Sequence, residues 1–484
     1  MVALVARSLN LESRNTTAIM NLTGTVRRDS KQNWRDLIWV RRGIWLYFWL
    51  LLFEGVLRKW IVPGLSAPLL IIRDPVVLFI YWKAYRSGRL HSPMLFPFVL
   101  VSVAMIILAC AQIAEHISTP LIAAYGLRCY LMHLPLIIVM AKTMELEDAR
   151  KFGRWLLIVS IPMAALMAVQ YYAPPMSRLN IGAGGGSTGY GYRHALFSTI
   201  HVRPPGTFSF NSGIECFLPF VVAYLLYAIS RPGTYSPMLV WPAAISASIA
   251  IPLSTSRTVW FVTAGVVAWA MLITGLTGAQ HSLRLIRVAL VLIGAAAIAS
   301  QTPVFQDAFA TAQQRWNAAA HSEGDLEGVV EARVLRQFTD AFETAADTGW
   351  LGQGIGMGSN VAAVMQTGSM GFGLAEEEWP RIMLECGPLG GMIFMGFRVG
   401  LCIYILMVAF RNRQSTSTLG PLLASAFIPI LLTKTIELPT HLGFMAWGGG
   451  LCLAAARRPY RSRTILRTAP AMHTHIAREN VAAG

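Results

Sequence analysis

Charge is what this chain has least of. Only 13% of its 484 residues are Asp, Glu, Lys or Arg, where a soluble protein carries about 25%. With 55% hydrophobic residues, that scarcity argues against a soluble fold and predicts an all-α, polytopic integral membrane protein. Cysteine is sparse too. The six, Cys110, Cys129, Cys216, Cys386, Cys402 and Cys452, lie in or beside apolar runs and form no C-x-x-C pair, so neither a disulfide framework nor a zinc site is expected. The first 40 residues lack the apolar core of a signal peptide. They contain Arg27, Arg28, Lys31 and Arg35, and residues 1–42 are expected to be a cytoplasmic tail. No Gly-Lys-Ser/Thr follows the glycine run at 182–189, which rules out a Walker loop. No Asp-x-Asp pair stands in the long polar loops. No metal or cofactor is therefore expected, and no internal repeat stands out.

What the chain has is apolar length. A helix needs about 20 apolar residues to cross a bilayer. Runs of roughly that kind fall at 43–62, 67–83, 95–113, 119–141, 154–173, 212–230, 237–253, 258–276, 283–300, 382–409, 419–436 and 440–456. They predict about 12 transmembrane helices in a membrane domain over 43–456. If the N-terminus is inside, the alternate loops and the basic tail at 457–484 gather most of the Lys and Arg, as the positive-inside rule requires. Both termini are then cytoplasmic, and the two long loops, 174–211 and 301–381, face outward. The net charge of +16 is explained by this bias, and no nucleic acid partner is expected.

The loop at 301–381 is the longest polar interval. Val330, Val334, Phe338 and Phe342 recur every four residues and predict an amphipathic helix, with Arg333, Arg336, Asp340 and Glu343 on another face. A second helix is expected over 305–320, so the loop reads as a helical external domain. It ends in Glu376, Glu377 and Glu378, just before the next apolar run. In the loop at 174–211 the glycine run fits a flexible linker, or a backbone cradle for an anion.

Ionisable residues inside apolar spans are costly and point to function. Arg73 and Asp74 are expected to pair with one another, and Glu54 with Arg58. Arg128 shares its span with Tyr130 and His133, which suggests a polar inner face. Arg257 follows Leu253-Ser-Thr-Ser256 at a turn between spans. The outward face thus collects Arg193, Arg203, Arg257, Arg333, Arg336 and Arg381, against the three glutamates. Arginine suits bidentate phosphate contacts, and cations on this face run against the positive-inside trend. An anionic, membrane-embedded ligand is the reading these residues support, and a lipid-linked sugar diphosphate has that character.

Three segments carry a family resemblance. They are Arg203-Pro-Pro-Gly-Thr-Phe-Ser-Phe-Asn211, then Leu253-Ser-Thr-Ser-Arg257, and then Arg333 through Gly349-Trp-Leu-Gly-Gln-Gly-Ile-Gly356 with Glu385-Cys-Gly-Pro-Leu-Gly390. In order, spacing and topology they resemble the O-antigen ligase and polymerase superfamily, integral membrane enzymes that join lipid-linked glycans outside the bacterial cytoplasmic membrane. Glu54-Gly-Val-Leu-Arg-Lys-Trp60 is similar to the opening span of a subgroup associated with exopolysaccharide clusters. Ligases of the family carry His-Asn about nine residues before the Glu-x-Gly of the next helix. Here Glu376 and Glu377 stand there, which favours a polymerase.

The resemblance implies glycosyl transfer from an undecaprenyl-diphosphate-linked repeat unit to a hydroxyl of a second lipid-linked glycan. Arg203 and Arg257, with Arg333 or Arg336, would neutralise the leaving diphosphate, and Arg193 and Arg381 would add to substrate binding. Glu376 or Glu378 would act as base on the acceptor. Membrane lipids, a chain-length regulator and a flippase are the expected partners. Ligase-type transfer of finished polymer and lipid-linked glycan transport are the alternatives.

Overall fold

The structure, a computed structural model, describes residues 33–90, 92–183, 194–196, 199–275, 290–291, 293–294, 296–323, 336–368, 374–375, 377–411 and 418–457. Among them the fold is helical, apart from one two-stranded hairpin, β1 (His194–Leu196) and β2 (Thr199–His201), paired antiparallel with His194 opposite His201. Among the described residues five helices are long and apolar enough to cross a membrane: Leu95–Ala114, Pro120–Thr143, Leu146–Tyr172, Ser212–Ser230 and Glu378–Arg411. Helices at 237–253, 257–273 and 419–433 are apolar but shorter.

α1 (33–56) ends in a π-turn over Leu57–Ile61. Its Val40, Ile44, Tyr47, Phe48, Leu51 and Leu52 are buried, the three-to-four spacing of a helix with one core-facing stripe. α2 (Arg73–Arg86) and α3 (Leu95–Ala114) follow. The expected single span at 119–141 is interrupted. α4 (Pro120–Leu127) passes into a π-turn over Arg128–Met132, and α5 resumes at Leu136–Thr143. π-turns of this kind are frequent at functional sites, and this one carries Arg128. α6 spans Leu146–Tyr172, starting earlier than the apolar run because Glu145 and Asp148 form a reciprocal capping box.

α7 (Ser212–Ser230) is buried along nearly its whole length, which places it at the centre. α8 (Pro237–Leu253) and α9 (Arg257–Gly275) pack beside it. α10 (Pro303–Glu323), α11 (Arg336–Asp347) and α12 (Asn360–Thr367) belong to the long loop. α13 (Glu378–Arg411), α14 (Leu419–Thr433) and α15 (Pro439–Ala456) close the bundle. Phe48, Phe152, Phe220, Phe444 and Trp447 meet ring to ring in the core. Gly448, Gly449 and Gly450 let α15 approach: an added Cβ would stand 2.5 Å from Phe220, 2.9 Å from Ile137 and 2.6 Å from Met140, the small-residue contact that membrane helices favour.

α13 is the main departure from expectation. Arg398 forms an ion pair with Glu378, twenty residues back on the same element. In a straight helix that separation is about 30 Å. The chain instead reverses at Gly387, where φ is 67° and ψ 173°, and the second helix of the element starts at Pro388, inside the run expected from 382. The short segment 378–386 folds back, so that a Cβ on Gly391 would meet Met383. Only glycine adopts this backbone cheaply, and a Cβ at Gly387 would stand 2.2 Å from the Trp350 carbonyl oxygen. Gly387→Ala is expected to lower the unfolding midpoint in detergent sharply, by more than the ~1–2 kcal/mol of left-handed strain alone. Gly396→Ala on the same element, where an added Cβ meets nothing within 4 Å, is the control and should be near neutral.

Candidate functional site

The charged side chains of the apolar segments collect in several networks, two of which adjoin at Lys434 and differ in what they leave accessible. The first is closed. Glu378, Arg381 and Glu385 lie one turn apart on the folded-back segment. Arg381 donates from Nη2 to Glu378 at 2.6 Å and from Nη1 to Glu385 at 2.9 Å. Glu378 also pairs with Arg398 and accepts the Ile436 amide at 3.2 Å. Glu385 accepts the Tyr130 hydroxyl at 2.6 Å and the Gly358 amide at 2.9 Å. Arg398 spends its remaining donors on the carbonyls of Leu431 and Lys434, and stacks on Trp379 at 4.7 Å. The side chains of Glu378, Glu385 and Arg398 are 0% exposed, and that of Arg381 3%.

This geometry corrects two expectations. Glu378 is not set out on the surface: two guanidiniums and an amide occupy its carboxylate. Arg381 is not set out for a diphosphate, because two carboxylates satisfy its charge. The glycine loop before them is equally closed. Gln112 donates to the carbonyls of Leu351 (2.5 Å) and Glu385 (2.8 Å) and accepts the Ile355 amide at 2.8 Å, while the amides of Gln353 and Gly354 bond to Leu384 and Glu385. Loop amides used this way brace the folded-back segment and are not an anion cradle.

A further pairing is reassigned. Arg73 and Asp74 are neighbours in sequence but not partners. Arg73 Nε donates to Glu54 at 3.0 Å, and Glu54 also meets Arg58 at 3.5 Å, as expected. Asp74 takes Arg128 in a two-pronged pair at 2.5 and 2.8 Å, and lies 3.1 Å from His133 Nε2. His133 Nδ1 in turn faces the Tyr47 hydroxyl at 3.0 Å. Arg128 and His133 thus do share a polar inner face, while Tyr130 belongs to the closed network.

The second network is the more accessible one. Glu215, in the first turn of α7, pairs with Lys434 at the end of α14. It lies 3.4 Å from Arg203 and accepts the Ser256 hydroxyl at 2.7 Å. The side chains of Arg203, Glu215 and Lys434 keep 12 to 14% exposure. Arg203 is held close to α7 because the turn Pro205–Phe208 is pinned: Gly206 donates to Gln170 at 2.8 Å, and the Thr207 hydroxyl reaches the Leu52 carbonyl at 2.7 Å. The Ser256 hydroxyl reaches Glu215 from a strained turn, in which Thr255 has φ of 45°. Non-glycine residues are held this way chiefly where structure serves a site. The next residue, Arg257, opens α9 and lines a cavity of about 370 Å³ with Thr255, Trp260, Phe261, Phe309 and Gln313. The lining is largely apolar, with Thr255, Arg257 and Gln313 as its polar members.

Of the arginines expected to converge, then, Arg203 is linked through Glu215 to Ser256, the residue before Arg257. The Arg336 side chain is 68% exposed and, among the described residues, pairs with Asp340 at 3.9 Å. Its helix is anchored by buried Ala341 and by Phe338 against Trp379, whereas Phe342 is exposed. Arg193, Arg333 and Glu376 lie outside the described residues, and Glu377 is exposed. Sequence reasoning missed Glu215, Lys434 and Glu437. Lys434 stands inside an apolar run, and the rule that picked out Arg257 applies to it equally. Among the described residues no three His, Cys, Asp or Glu side chains converge as a metal site. No known family model matches this chain, and no curated protein matches it either.

Proposed function

We propose that the chain is a membrane glycosyltransferase that extends lipid-linked polysaccharide on the outer face of the bacterial cytoplasmic membrane. About twelve spans, cytoplasmic termini and outward-facing loops at 174–211 and 301–381 complete this reading. One observation carries it: Arg203 and Lys434 pair with Glu215, Glu215 accepts the Ser256 hydroxyl, and the next residue, Arg257, lines an apolar, aromatic-rich cavity. That arrangement suits an amphiphile whose head bears two negative charges and whose tail is hydrocarbon, as an undecaprenyl diphosphate is. The bond from the sugar C1 to the diphosphate oxygen breaks, and the diphosphate leaves with the electron pair. A hydroxyl of a second glycan forms the new bond to C1 and gives up its proton. Arg203, Arg257 and Lys434 neutralise charge growing on the leaving diphosphate, where fixed donors act most strongly.

Transport of a lipid-linked glycan is the second reading. The interrupted helix at Arg128–Met132 and the reversal at Gly387 are the kind of discontinuity transporters use, although the accessible cations lie at helix ends. Cellular lipid-linked glycans separate the readings. Loss of a polymerase leaves single repeat units on the carrier, and loss of a ligase leaves long unattached polymer. Arg257→Ala, made at native membrane level, is expected to accumulate single units; normal chain length in that variant would contradict the proposal.

A further inference from the structure

Every other buried carboxylate in these networks has a cationic partner. Glu378 has Arg381 and Arg398, Glu385 has Arg381, Glu215 has Arg203 and Lys434, Glu54 has Arg73 and Arg58, and Asp74 has Arg128. Glu437 stands apart. It lies on the short connection between α14 and α15, three residues after Lys434, and is 4% exposed. One carboxyl oxygen accepts the Asn360 amide at the start of α12. The other, Oε2, is buried and has no hydrogen-bond donor. A buried polar atom without a partner calls for an explanation, and a catalytic role is one of the recognised ones.

We propose that Glu437 is the general base for the acceptor hydroxyl, an assignment that rests on the glycosyl-transfer reading above. The proton of the attacking hydroxyl passes to Glu437 Oε2 as the hydroxyl oxygen bonds to the sugar C1 and the C1–phosphate bond breaks toward the Arg203–Lys434 side. The proton then leaves to solvent, restoring the carboxylate. The helix cap on Oε1 fixes the carboxyl while leaving Oε2 for this work. The charged and titratable groups facing it are Arg381, Glu385 and Glu378 of α13, and Tyr125 and Cys129 about the end of α4. Burial raises the Glu437 carboxyl to about 7, with Arg381 and the Asn360 amide pulling the other way. A base with that value gains its working form as pH rises, so the rate should climb through about pH 7 and level off above it.

The folded state holds this proton more tightly than the unfolded chain does, so Glu437 costs stability as pH rises through about 7. Glu437→Gln keeps an oxygen for the Asn360 amide and removes the charge. In proteoliposomes supplied with lipid-linked glycan extracted from cells lacking the chain, Glu437→Gln is expected to slow elongation about 100-fold or more. It should erase the rise near pH 7, bind undecaprenyl diphosphate within about threefold of native, and unfold no lower than native at pH 8. Elongation retained within about threefold, or lost together with diphosphate binding or the unfolding midpoint, would overturn the assignment. Failure of the native chain to elongate that pool sinks the glycosyl-transfer reading itself, whereas an active native chain beside an equally active Glu437→Gln sinks only the role of Glu437. Glu376→Gln is run in parallel: if it alone erases the pH dependence, the base is Glu376.

Discussion

Arg398→Met is expected to unfold the closing helices, at a cost of about 3–5 kcal/mol, the range for removing one partner of a buried ion pair. Methionine replaces the length of the side chain but none of its donors. Glu378 would keep Arg381 and the Ile436 amide but lose its second guanidinium while fully buried. The carbonyls of Leu431 and Lys434, which Arg398 ties to α13, would lose a donor at the end of α14. That end presents Lys434 to Glu215, so the damage should spread to the accessible network. The check is the thermal midpoint of purified protein in detergent, with membrane level measured alongside. Adding Glu378→Gln should recover part of the loss, because the two residues couple directly. A single variant as stable as the native chain would show that the clamp does not hold the reversal at Gly387.

Arg203→Ala is expected to behave in the opposite way: the fold survives and activity does not. Glu215 would still have Lys434 and Ser256, so no buried carboxylate is stranded, and the midpoint should stay near native. Loss of one donor to developing charge typically costs about 2.7–4 kcal/mol of barrier, or 10²–10³ in rate. Arg203→Lys should recover part of this, since it restores charge without the two-pronged geometry. The measurement is the elongation rate at saturating donor, set beside the thermal midpoint. A rate near native would remove Arg203 from the diphosphate site, and a collapsed midpoint would make it a structural residue.

Apolar length is a strong signal: the five helices long and apolar enough to cross a membrane fall on expected runs, with edges moved by caps such as Glu145–Asp148. The reversal at Gly387 was not legible, since 382–409 reads as one unbroken apolar run. A single residue with positive φ redirects it, and hydropathy carries no record of direction. Pairings were harder still. Arg73 and Asp74 are adjacent, but successive helix positions do not face each other, so each found a partner on another element. The glutamate run shows the same limit. Glu377 is exposed and Glu378 buried because the helix begins between them, a boundary that composition does not mark. Arg203 and Arg257 were legible because each is a cation beside a turn that opens an apolar helix. Glu215 and Lys434 sit at comparable boundaries, but only their mutual pairing across α7 and α14 shows that they belong to one site.

The most direct test of the account is reconstitution. Purified chain in liposomes is given lipid-linked glycan extracted from cells that lack it, and the products are separated by chain length. The account predicts glycans of several repeat units on one lipid, with lipid diphosphate released in step and both lost in Arg203→Ala. Movement of unextended glycan across the bilayer, with no lipid diphosphate released, would contradict it.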